Sequence, residues 1–253
     1  MRVPLSAAAR IFTVVLGCAA IGWGTIVFSP VAQQSSIERY ANRIISGHPF
    51  KIDALLDLMH SGEAIEHAER CQPTVLHSAA VIQLRLVEET FAAGDLANID
   101  TRMRTLRDMI GRSLACSPAD SFLWLVLFWL DSTRNGFSPR YLDYLRLSYE
   151  RGPNEGWIGV KRNRAVLAIF EQLPAELGEK SIAEFVGLVH SGFYDDTVDI
   201  LAGPGWRLRD RLLLRLSGIP ERRREAFAKT LYRRGYEDLV VPGIERPAPR
   251  PWH

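Results

Sequence analysis

Cysteines, histidines and carboxylates are the side chains of this 253-residue sequence with chemistry to offer, and the spacing of its 3 Cys, 6 His and 29 Asp plus Glu decides how much. Cys18 falls in an uncharged run, leaving Cys71 and Cys116, each two residues before a proline, Pro73 and Pro118. An even pair in an exported domain is a disulfide candidate, worth something like 3–4 kcal/mol for a loop of this length. Two buried thiols are the alternative reading. If helical hairpins stack in register, the two positions sit at one edge of adjacent layers. A bridge needs Cα atoms within about 4.4–6.8 Å, closer than many layers approach. His60, Glu63 and His67 share a face only if helix runs through Gly62, and no H-E-x-x-H occurs, so no zinc site or other cofactor is expected. His48, His77, His190 and His253 stand singly. Glu88-Glu89 and Asp195-Asp196 are adjacent pairs, which on a helix point about 100° apart and are not preset for acid–base work. No G-x-S-x-G, G-x-x-x-x-G-K or G-x-G-x-x-G is present, so no catalytic residue is assigned and an enzyme is not expected.

Two turns, Gly152-Pro-Asn-Glu-Gly-Trp157 and Gly203-Pro-Gly-Trp206, echo each other. In each, Gly ends a helix, Pro forbids continuation, and Trp157 or Trp206 either anchors the next helix or is presented for stacking on a partner. Charge is the sharpest asymmetry. Residues 205–234 carry Arg207, Arg209, Arg211, Arg215, Arg222, Arg223, Arg224, Lys229, Arg233 and Arg234 against three acids, a net +7 in a chain of net +2. Such a block suits anionic lipid, an acidic polysaccharide or an acidic protein, or forms a solvated face. Nucleic acid is not expected, because no reading motif is present.

Near the N-terminus, Ile11–Ala32 runs 22 residues without a charge. At 1.5 Å per residue that makes about 33 Å of helix, enough for a bilayer core of roughly 30 Å. An uncleaved signal anchor is favoured over a cleaved signal because the run exceeds an ordinary signal core; Val15-Leu-Gly-Cys18 also offers a weak lipobox. Beyond it the periodicity is helical almost throughout. Ser36 begins a helix to Ser46; Pro73 opens one closed by Gly94; Asp95 or Asn98 caps the next. Phe122–Leu130 (FLWLVLFWL) spans about 14 Å, less than half a bilayer, and reads as a core helix. Further helices are expected over 139–151, 154–173, 179–191, 195–201, 208–216 and 220–234.

Ser113-Leu-Ala-Cys-Ser-Pro118-Ala-Asp-Ser-Phe122 aligns with Ser148-Tyr-Glu-Arg-Gly-Pro153-Asn-Glu-Gly-Trp157 at an offset of 35 residues. Self-similarity at this period in a helical chain is the mark of stacked hairpins. Over about Pro73 to Leu173 the chain resembles the tetratricopeptide repeat family. Trp124, Leu127, Tyr144 and Pro153 match that family's large positions and closing proline; Phe128, Arg140 and Leu147 depart from its small ones. The resemblance implies a scaffold that binds protein partners on a concave face, with no catalytic residues.

Average composition, 47% apolar and 24% charged, excludes a disordered tail or a polytopic transporter. The expected organisation is all-α. A short cytoplasmic tail (1–10) precedes a transmembrane anchor (11–32), a solenoid-like stack of helical hairpins (33–235) and a Pro-rich extended tail (236–253). Placement is expected in a bacterial inner membrane as a single-pass protein with a periplasmic domain. The expected function is an interaction scaffold with protein partners in the cell envelope, such as one for polysaccharide synthesis or export. A carbohydrate-active enzyme with unrecognised carboxylates and a lipid-binding protein acting through its basic helices are the rivals.

Overall fold

A computed structural model describes residues 7–61 and 71–245, with side chains described at 12–23, 37–57 and 71–245. The described residues form helices and turns, with no strand. The chain divides into two compact units, Met1–Pro118 and Ala119–His253.

The first unit holds α1 (Ala7–Ile45), α2 (Ile52–Ser61), α3 (Pro73–Ala92) and α4 (Leu96–Cys116). The helix predicted to start at Ser36 is instead the end of α1. Gln33, Gln34 and Ser35 contain no breaker, so the hydrogen-bond ladder simply continues through a residue that also suits caps. Gly47, at φ +80°, then turns the chain into a conformation that other residues rarely adopt. Pro73 starts α3, where a missing N–H costs nothing, and Asp95 caps α4 by accepting from the Asn98 N–H at 3.3 Å. Ile37 of α1 and Leu55 of α2 close over Ile82 and Leu86 of α3. Gln83 Nε2 donates across to the Arg102 carbonyl of α4 at 3.2 Å. Among the described residues no helix is long and apolar enough to cross a membrane. The expected span Ile11–Ala32 lies within α1, and its side chains at 11 and 24–32 fall outside the described residues.

The second unit holds α5 (Ser121–Asn135), α6 (Leu142–Arg151), α7 (Gly156–Leu167), α8 (Ala175–Ser191), α9 (Tyr194–Ala202), α10 (Arg209–Arg215) and α11 (Glu221–Arg233). Asp120 caps α5 by accepting from the Leu123 N–H at 3.0 Å. Its apolar run is helical and buried except at Trp124 and Trp129, which are half-buried. Ser148, near the end of α6, donates to the carbonyl of Ser121, the first residue of α5, so the two helices run antiparallel. The Trp124 and Tyr144 rings stack between them at 6.0 Å. Helix α7 stops at Leu167, short of the predicted 173; a 3-10 turn at Phe170–Gln172 follows, and Leu173, which precedes Pro174, is extended. Phe185, Val198, Leu212, Phe227 and Leu231 fill the core shared by α8 to α11. The tail is not simply extended: Val241 is buried, and Tyr236, Leu239 and Ile244 pack on the same core. Residues 246–253, including Trp252, lie outside the described residues.

Candidate functional site

Helix α7 carries Ile158, Arg162 and Val166 at intervals of four, which is one face, and all three are fully buried. A guanidinium on an apolar stripe must find an opposite charge and several acceptors, because burying it unpaired costs several kcal/mol, a large share of a domain's net stability. Arg162 finds them. Its Nε and Nη2 donate to Glu184 Oε1 of α8 at 2.9 and 2.6 Å. Nη1 donates to the Ser148 carbonyl at 2.7 Å and to Ser148 Oγ at 3.0 Å, and Nη2 to the Gly152 carbonyl at 3.0 Å. The two carbonyls lie at the end of α6, where the Ser148 carbonyl also accepts from the Gly152 N–H at 3.2 Å, so Arg162 adds a side-chain cap to that helix. Its guanidinium sits 4.2 Å from the centroid of the Tyr149 ring.

Tyr149 donates its hydroxyl to Glu184 Oε2 at 3.2 Å, and Asn163 donates Nδ2 to the Ser181 carbonyl at 2.7 Å. Burial pushes the Glu184 carboxyl above its ordinary range, a larger effect than the opposing pull of Arg162. Burial, and then the charge of Glu184, push the Tyr149 phenol well above its own, which keeps it a donor. The cluster continues to α5: Ser121 Oγ donates to Glu155 Oε1 at 3.1 Å. Gly152 is required at this meeting point, since a Cβ there would stand 2.6 Å from the Ser121 Cβ.

Against this cluster, between α7 and α8, lies a cavity of about 390 Å³ whose lining includes Tyr149, Glu155, Gly159, Lys180, Glu184 and Gly187. Lys180 at its edge pairs with Glu176 at 2.9 Å, and that pairing holds the Glu176 carboxyl below its usual value. The arrangement offers a ligand fixed hydrogen-bonding groups of both kinds.

The residues singled out from sequence fare differently. Cys71 and Cys116 form a disulfide with Cα atoms 5.5 Å apart. They do not join adjacent layers as the sequence suggests: Cys71 precedes α3 and Cys116 ends α4, so the bond closes the open end of one antiparallel hairpin. Cys18 is a free, exposed thiol. Among the described residues no group of three His, Cys, Asp or Glu side chains is placed to hold a metal ion, and His60, Glu63 and His67 lie outside the described side chains. The basic block is largely engaged within the second unit. Arg211 and Arg215 both pair with Glu179, Arg233 lies 3.9 Å from Asp195, and Arg234 pairs with Asp199. Arg224 donates to the Pro242 carbonyl, Arg223 to the Tyr194 hydroxyl at 3.4 Å, and Arg209 lies over the Trp206 ring. Arg207 and Arg222 are exposed. Trp157 is half-buried against Phe122, while Trp206 is 41% exposed.

Sequence reasoning missed Arg162, Glu184, Tyr149 and Glu155. The available signal was a charge on the otherwise apolar stripe Ile158, Arg162, Val166, where a core-facing helix stripe should have none.

No family model, no curated protein and no solved structure matches the chain.

Proposed function

We propose that the protein is a helical-repeat interaction scaffold tethered to a bacterial inner membrane by the start of α1, its remaining helices facing the periplasm. The observation that carries the tether is the surface of that helix. Phe12, Val14, Val15, Leu16, Ile21 and Trp23 are each at least 60% exposed, within a run of 22 residues that holds no charge. At about 25 cal/mol per Å² such side chains strongly favour apolar surroundings over water. The Cys71–Cys116 bond supports an oxidising compartment for the helices beyond the tether.

The repeat reading rests on separations that recur in the contacts of the second unit. Ser121 meets Glu155, Tyr149 meets Glu184, Glu179 meets Arg215 and Asp199 meets Arg234, at 34, 35, 36 and 35 positions apart. A unit of about 35 residues, degenerate in the manner of a tetratricopeptide hairpin, puts equivalent positions side by side in this way.

A topology reporter fused after His253 tests the reading. Activity on the periplasmic side, with the chain retained in carbonate-washed membranes, is the expected result. Activity confined to the cytoplasm, or release of the chain by carbonate, overturns it.

A further inference from the structure

We propose that the cavity between α7 and α8 binds a neutral, hydroxyl-rich ligand, a short oligosaccharide or the end of a glycan chain. Its size falls in the range of small-molecule sites, about 300–1,000 Å³, at about 390 Å³. The chemistry of its walls selects the class. Glu184 is paired from behind with Arg162 and Lys180 with Glu176, while Glu155 accepts from the neutral Ser121 hydroxyl, so the lining holds one carboxyl more than its paired cations and does not draw in an anion. What remains is a close alternation of acceptors and donors: the Glu184 and Glu155 carboxylates, the Asn154 amide, the Ser191 hydroxyl and the Lys180 ammonium. Vicinal hydroxyls, each both donor and acceptor, match such a set, and fixed polar groups in a cavity discriminate best against ligands that leave them unpaired.

The acceptor is held in place before any ligand arrives. Glu184 Oε1 takes two bonds from Arg162, and Oε2 takes one from Tyr149 and a long one from Asn163 Nδ2 at 3.5 Å, the contact that a ligand donor would displace. Two glycines keep the space clear. A Cβ at Gly159 would stand 3.3 Å from Glu184 Oε1, crowding the carboxylate, whereas a Cβ at Gly187 would meet nothing within 4 Å. A side chain added at Gly187 therefore enters the cavity without disturbing the fold. The proposal does not depend on where α1 resides.

The test uses the full chain in a sugar-free detergent, titrated calorimetrically with maltotriose, cellotriose and chitotriose, and with glucosamine and a glucuronate disaccharide as charged counterparts. Saturable binding of at least one neutral trisaccharide is expected, weakened at least tenfold by Gly187→Leu and unchanged by Leu214→Ala on an exposed site. Far-UV circular dichroism of Gly187→Leu should match the parent, since the exchange raises helix propensity. No saturable binding of any neutral probe overturns the proposal, as do preference for a charged probe and equal affinity in Gly187→Leu.

Discussion

The rings of Phe122 and Trp157, 35 positions apart in sequence, meet with centroids 4.9 Å apart and planes inclined at 46°. Each opens a helix, Phe122 in α5 and Trp157 in α7, after a proline turn of the same form. Two aromatics that occupy the same place after their proline turns are thus neighbours in space. A double-mutant cycle of Phe122→Ala and Trp157→Ala should give a coupling of about 0.5–1.5 kcal/mol beyond the separate losses of buried area. Additivity in urea unfolding would remove the contact's special role.

Arg162→Leu leaves the buried Glu184 without its counter-charge and takes away the guanidinium bonds to the Ser148 and Gly152 carbonyls. A loss of about 3–5 kcal/mol is expected. Arg162→Leu combined with Glu184→Leu should lose less than Arg162→Leu alone, because no unpaired charge then remains inside. Of the six tryptophans, Trp124, Trp129, Trp157 and Trp206 lie in the second unit and Trp23 alone in the first, so tryptophan fluorescence during denaturation reads mainly the unit where the effect arises.

Glu184 gives stability a pH dependence of definite sign. Its carboxyl titrates above the ordinary 4.5 in the folded chain, because burial outweighs the pull of Arg162. Between the unfolded and folded values the folded state binds more protons, so this group's contribution falls as pH rises through that window. Denaturation midpoints taken from about pH 4 to about pH 8 should show a descending component that Glu184→Gln abolishes. An unchanged slope in Glu184→Gln would assign the dependence elsewhere.

Closure of the α3–α4 hairpin by Cys71 and Cys116 spans 45 positions. By chain entropy such a loop contributes about 4 kcal/mol against unfolding. Reduction, or Cys71→Ser, should lower the stability of the first unit by that order, read by circular dichroism. Denatured but unreduced protein should present one thiol, Cys18, to a maleimide, and three after reduction.

Sequence alone determined the helical class and most of the breaks. Pro73, Gly94 and Asp95 set their boundaries through local chemistry, a missing N–H, a positive φ and a side-chain cap, and those act within a few residues of themselves. The even count at two like prolines marked Cys71 and Cys116 as a candidate pair, with two buried thiols as the other reading, and the structure shows the bond. Which edge the bond closes was not legible, because that depends on α3 and α4 doubling back on one another.

Glu184 and Arg162 belong together only in three dimensions. Nothing near Glu184 in sequence marks it as buried; it sits on α8 between an exposed Ala183 and the core residue Phe185, and its partners come from α6 and α7. The basic block shows the same limit from the other side. Its charge is plain in the sequence, yet Glu179, Asp195 and Asp199, which pair with four of its arginines, lie outside it and are brought near by α8 and α9. Local residues fix backbone geometry over one or two turns, whereas a charge's environment is the sum over every helix packed around it, and only the tertiary structure supplies that sum.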